Sequence, residues 1–75
     1  MSPLDHDPEA VRWALDKSGL TQKEFAEAIG KSQSLVSEVL AGTRNATPAV
    51  IQKMAAALNC PVVVLERKRD RSEAA

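Results

Sequence analysis

The sequence predicts an all-α domain, a compact bundle of four to five short helices. Three observations carry this. Cap residues of the Asp, Thr or Ser type recur ahead of apolar segments. Within those segments the apolar residues fall at i, i+3 and i+4. A glycine or asparagine follows each of the first four segments. A chain of 75 residues is one small domain, expected over residues 1–67, with a charged tail over 68–75. With one Trp, one Phe and no Tyr, its core must come from Leu, Ile, Val, Ala and Met.

The first helix starts at "DPEA". Asp7 is a suitable N-cap, Pro8 fits the first helical position, and Glu9 suits the positive end of the dipole. Val11, Ala14 and Leu15 form its apolar face, and Gly19 ends it. The second helix has the strongest start. In "LTQKEF", Thr21 and Glu24 make a capping box, while Leu20 and Phe25 make a hydrophobic staple. Its apolar face continues through Ala28 and Ile29, and Gly30 closes it after about two turns.

Ser32 caps the third helix. Val36, Val39 and Leu40 point one way, with Leu35 at the edge. Gln33, Ser34, Ser37, Glu38 and the small Ala41 point the other way. Gly42 closes it, and the polar loop "TRNA" (Thr43 to Ala46) follows. Thr47 and Pro48 open a fourth helix with Ile51, Met54, Ala55 and Leu58 inward and Asn59 as its left-handed stop. "PVVVLER" reads either as a fifth short helix opened by Pro61 or, from its three valines, as a short strand; helix is the favoured reading. Trp13 is expected to pack rather than to serve as a stacking platform. From about Lys68 the chain reads as a frayed, solvated end.

Composition narrows the function. The single cysteine, Cys60, has no partner for a disulfide, which fits a reducing compartment, and it reads as a buried structural thiol. His6 is the one histidine, so a zinc cluster is not expected. The apolar runs fall well short of the roughly 20 residues of a membrane span, and the N-terminus lacks the pattern of a secretion signal. The expected location is the cytoplasm, with no membrane partner. Net charge is 0, which weakens long-range steering towards a polyanion but permits a local basic surface. The charges are unevenly spread. Residues 1–16 carry four acids against Arg12, residues 17–45 carry four bases against three acids, and "ERKRDRSEAA" carries four bases against three acids.

"GKS" at Gly30 to Ser32 raises the question of a phosphate-binding loop. That loop needs a second glycine five residues earlier, after a strand. The residue there is Phe25, held in an amphipathic helix, so the reading fails. With no nucleophile–histidine pair and no metal cluster either, enzymatic activity and a bound cofactor are not expected.

What remains is two short helices joined by a glycine turn, the second with an outer face of small and amide side chains. That is the plan of a helix-turn-helix, here residues 21–41, in which the glycine turn lets Phe25, Ala26 and Ile29 pack against Val36 and Val39 and the second helix enters the major groove. Small residues let the backbone approach the bases, and Gln33 can bond an adenine edge at two points. Lys23, Lys31 and Arg44 flank this surface. Taken singly, each is more often a solvated charge than a contact.

"LTQKEFAEAIGKSQSLVSEVLAG" resembles the lambda-repressor-like (Cro-like, XRE-type) helix-turn-helix family of phage and bacterial regulators. The matching positions are Gln22, Phe25, Ala26, Gly30, Val36, Ser37 and Gly42, and the likeness extends over roughly residues 9–66. The resemblance implies a DNA-binding regulator. By it, Gln22 bonds a phosphate and braces Gln33, and Gln33, Ser34, Ser37 and Glu38 contact bases or phosphates. Lys23, Lys31 and Ser32 border that surface, and Thr43, Arg44 and Asn45 grip the backbone. It also implies a homodimer, formed in solution or only on DNA, joined through Pro61, Val62, Val64 and Leu65. The expected partner is a near-palindromic double-stranded operator, and the expected role is that of a phage- or plasmid-type repressor. The alternative is an antitoxin that binds a toxin protein and represses its own operon. The sequence departs from the family where many members pair an Arg in the first helix with a Glu late in the third: Leu15 and Leu40 fall there, an apolar contact in place of an ion pair. Glu38 is a second departure. It repels phosphates, and it either accepts from a cytosine or pairs with a nearby cation.

Overall fold

Residues 4–67 are described by the structure, a computed structural model. They form five helices: α1 Pro8–Ser18, α2 Gln22–Ile29, α3 Gln33–Ala41, α4 Pro48–Leu58 and α5 Val62–Leu65. The tail from Lys68, expected to be a charged arm, lies outside the described residues.

Local chemistry sets the helix boundaries. Asp7 accepts from the N–H groups of Glu9 and Ala10, Ser32 from Leu35, and Thr47 from Val50. Thr21 and Glu24 form the full capping box, with bonds of 3.1 and 2.9 Å in the two directions. Three helices end in the same hydrogen-bonded turn. At the end of α2, Gly30 adopts φ 69° and its N–H reaches Glu27 O, while Lys31 N–H reaches Ala26 O. Gly42 and Thr43 repeat this on Val39 and Glu38, and Asn59 and Cys60 on Ala56 and Ala55. Asn59 takes the left-handed conformation at φ 55°, as its short polar side chain permits.

The helices pack with α2 against α3 and α4, and with α1 against α3 and α5; α4 also meets α5 and α1. Phe25, Ile51, Met54, Leu65, Val11, Val36 and Val39 are fully buried at the centre. The inward faces read from periodicity are the buried ones, with one exception. On α2 it is Ala26 that is buried, and Ala28 faces solvent. In a helix of two turns the stripe through Phe25 and Ile29 takes in i+1 rather than i+3, because α3 and α4 approach from that side.

The ambiguous "PVVVLER" is a single helical turn that finishes in a bridge. Glu66 pairs antiparallel with His6, Asp7 N–H donates to Leu65 O (2.9 Å), and Arg67 N–H donates to Asp5 O (3.0 Å). The N-terminal segment thus ties the end of the chain to the start of α1. Trp13, expected to pack, is 59% exposed: it lies on the face of α1 away from Val11, Ala14 and Leu15, and Lys17 Nζ stands 5.7 Å from its ring centroid. Cys60, expected to be buried, is half-buried. Burial pushes its thiol up, away from the reactive thiolate.

Among the described residues, no helix is long and apolar enough to cross a membrane, and no group of three or more His, Cys, Asp or Glu could hold a metal ion.

Candidate nucleic-acid interface

The turn Gly30–Lys31–Ser32 delivers α3 across α2. The left-handed Gly30 reverses the chain, and Ser32 Oγ restarts the helix by accepting from Leu35 N–H at 3.1 Å. Val36, Val39 and Leu40 then anchor α3 in the core. Gln33, Ser34, Ser37, Glu38 and Ala41 are left exposed on one face, and Leu35 is half-buried at its edge. This division matches the helical period, because the helix is nine residues long and its apolar half packs on α2 and α1.

Gln22, Lys23, Lys31 and Ser32 are all exposed, and Lys31 and Ser32 lead directly into α3. Gln22, from the start of α2, and Ser37 line one cleft together with Arg12, Asp16, Leu20 and Ala41. Leu15 and Leu40, the positions where the resemblance leads one to expect an ion pair, are both buried and border the same cleft. Gln22 and Gln33, which the resemblance links, are both exposed, and no hydrogen bond joins them among the described residues.

The loop after α3 is held by its own hydrogen bonds. Thr43 donates to Glu38 O through both N–H (3.0 Å) and Oγ1 (3.3 Å). Arg44 Nε meets Glu38 Oε1 at 2.8 Å, with both side chains about half exposed. Of the two roles open to Glu38, the structure forms the cation pair. Asn45 is tied up at both ends of its amide: Asp5 N–H donates to its Oδ1 (2.6 Å), and its Nδ2 donates to Asp5 Oδ2 (2.8 Å). Thr43, Arg44 and Asn45 are all exposed, and each is bonded within the protein, the first two to Glu38 and Asn45 to Asp5.

Two residues that sequence reasoning did not assign to the site hold α3 in place. His6 is 1% exposed. Its Nε2 bonds Val39 O at 2.8 Å, and its Nδ1 accepts from Ala46 N–H at 3.2 Å. Since Ala46 N–H can only donate and Val39 O can only accept, the ring proton sits on Nε2. Arg12, from α1, donates to Leu40 O. The last carbonyls of α3 are thus met in turn by Thr43, His6 and Arg12, with Arg12 a cation at the negative end of the helix dipole. No short motif announces this. His6 is 33 residues from Val39 and 40 from Ala46, and a lone histidine in an acidic segment carries no distinguishing local signal.

The expected dimer element is partly corrected. Leu65 is 0% exposed and belongs to the core, so it cannot meet a second chain. In a one-turn helix Val62 and Leu65 stand on the same side, and with Leu65 inward it is Val63 that turns outward, at 69% exposure. Pro61 is exposed, and Val62 and Val64 are half-buried.

Comparison with known proteins agrees with this geometry. A sequence model of the helix-turn-helix family matches residues 11–65. Two solved structures are similar. One is the restriction-modification controller protein C.AhdI from Aeromonas hydrophila, 30% identical, with a TM-score of 0.73 over 76% of this chain and 86% of that one. The other is the hypothetical transcription factor NHTF from Neisseria, 25% identical, with a TM-score of 0.68 over 88% of this chain and 85% of that one. No curated protein matches the sequence. The turn at Gly30, the outward polar face of α3 and a family match that begins in α1 and ends in α5 place this chain in the lambda-repressor-like, XRE-type helix-turn-helix family of DNA-binding transcription regulators.

Proposed function

We propose that the protein is a sequence-specific repressor of phage or plasmid type, acting in the cytoplasm as a dimer on a near-palindromic operator. The observation that carries the reading is the exposed row Gln33, Ser34, Ser37 and Glu38 on a helix whose other face is buried and whose C-terminal carbonyls are held by His6 and Arg12. A helix fixed in this way can enter the major groove without first being ordered, so little binding energy is lost to ordering. Gln33 reads a base edge, with adenine as its best partner, and Ser34 and Ser37 lie close to the bases. Gln22, Lys23, Lys31, Ser32, Thr43 and Arg44 contact phosphates, which fix register without choosing sequence. Asn45 contributes through the shape of its loop. The dimer brings two reading helices about 34 Å apart on one face of the duplex, joined through the surface of α5 at Pro61, Val62, Val63 and Val64.

The test is binding to the DNA beside the gene, measured at two salt concentrations against random duplex. Specific binding should be at least about a thousandfold tighter than nonspecific binding, and equal affinity for the two would defeat the proposal. A second reading, control of a restriction-modification system, is favoured by the similarity to C.AhdI. It keeps the same surface and differs in the target, an operator within the restriction and modification genes. Co-purification of an untagged small protein would instead favour the antitoxin reading.

A further inference from the structure

We infer that the exposed face of α1 is a self-association surface, on which two copies of the chain pair their α1 helices antiparallel across a two-fold axis at Trp13. The inference rests on the dimer reading above and extends it from α5 to a second helix.

Trp13 and Val63 are the two large hydrophobic side chains left exposed among the described residues, at 59% and 69%. They are 50 positions apart in the chain, yet both border one groove, shared with Ala10 and Val64. A tryptophan open to water beside an exposed valine is an apolar surface of the kind that marks an interface.

The charges around Trp13 identify what covers it. Glu9, Trp13 and Lys17 follow one another at i, i+4 and i+8, so they form a single row along α1: acid, ring, base. Lys17 Nζ already stands over the Trp13 ring, and Glu9 lines the groove on the other side. Both charges lie four residues, about 6 Å along the axis, from Trp13. A two-fold axis through Trp13 therefore sets Glu9 of each copy against Lys17 of the other, and ring against ring. The row is complementary to itself when reversed, which is the requirement of an isologous contact. Asp7, the other acid at the groove, is already engaged as the cap of α1, and Arg12 is engaged on α3. A formal net charge of 0 leaves no overall repulsion between copies.

Sedimentation equilibrium of the full chain tests this, alone and on a duplex with two half-sites, with circular dichroism to check the helix content of each variant. Glu9→Lys sets like charges together at both symmetry-related contacts, and Lys17→Glu does the same with signs reversed. Each should dimerise about tenfold more weakly than the wild type. Equal amounts of the two variants, mixed, should regain the wild-type affinity, because every contact between one copy of each is again an opposite pair. Both substitutions oppose the dipole of α1, so recovery on mixing cannot come from helix stability. Trp13→Ala removes an exposed ring without touching the core and should also weaken the dimer. It keeps the test open if either charge reversal lowers helix content. Dimers that no variant weakens, or a mixture no tighter than its components, overturn the α1 pairing and leave the dimer reading standing with its interface elsewhere. A chain that stays monomeric both free and on the duplex overturns both.

Discussion

Replacing His6 with Ala tests the idea that a buried imidazole fixes the end of α3. His6 is 1% exposed and joins Val39 O to Ala46 N–H, both on residues only 1% exposed themselves. The two bonds are not equivalent. Val39 O also receives Gly42 N–H at 3.2 Å, so it keeps a donor when His6 is lost. Ala46 N–H has His6 Nδ1 as its acceptor and would be left buried and unpaired, at a cost of roughly 1–3 kcal/mol. The space vacated by the ring adds about 1–2 kcal/mol. The expected loss is therefore about 2–5 kcal/mol, against a total stability of about 4–11 kcal/mol for a chain of 75 residues. Urea unfolding followed by helix signal at neutral pH measures it. The asymmetry yields a ranking. His6→Asn keeps an acceptor at the place of Nδ1, whereas His6→Gln keeps a donor at the place of Nε2. The Asn variant should be the more stable of the two, with Ala below both. A loss under about 1 kcal/mol for His6→Ala, or a Gln variant more stable than Asn, would refute the reasoning.

Five other substitutions probe the site and its supports. Gln33→Ala should cost about 1–3 kcal/mol of operator affinity and relax base preference at one position; an unchanged profile in a binding-selection assay would show that Gln33 is not a reader. Glu38→Gln should release Arg44 from its 2.8 Å pair and tighten binding to all DNA by up to about fivefold, whereas Arg44→Ala should weaken all binding and flatten the salt dependence. Titrations at several salt concentrations separate these effects from loss of specificity. Gly42→Ala should destabilise the fold more than Gly19→Ala. Both glycines have positive φ, at a cost of about 1–2 kcal/mol for another residue, but only at Gly42 would the added Cβ meet a neighbour, Pro8 Cγ at 3.3 Å. Equal losses in parallel denaturant titrations would show that the contact with Pro8 has no weight.

The helix plan and most of the outer face of α3 were legible in the residues themselves. Caps such as Thr21 with Glu24, stops such as Gly30 and Asn59, and the apolar row Val36, Val39 and Leu40 act within about one turn of where they stand. Their consequences can therefore be worked out from neighbours in the chain. Contacts between segments far apart in the chain have no such local expression. His6 with Val39 and Ala46, Asn45 with Asp5, and Arg12 with Leu40 arise only when α1 and the N-terminal segment fold back on α3 and its loop. The same holds for which hydrophobic residues stay outside. A stretch of three valines and a tryptophan in an amphipathic helix look alike in the chain, and only packing decides that Leu65 closes the core while Val63 and Trp13 face outward. The sequence by itself determined the helices and the polar outer face of α3, because those follow from local hydrogen bonding and helical period. Tertiary structure alone decided what holds the end of α3 and which apolar surface stays exposed, because both depend on segments that meet only in the folded state.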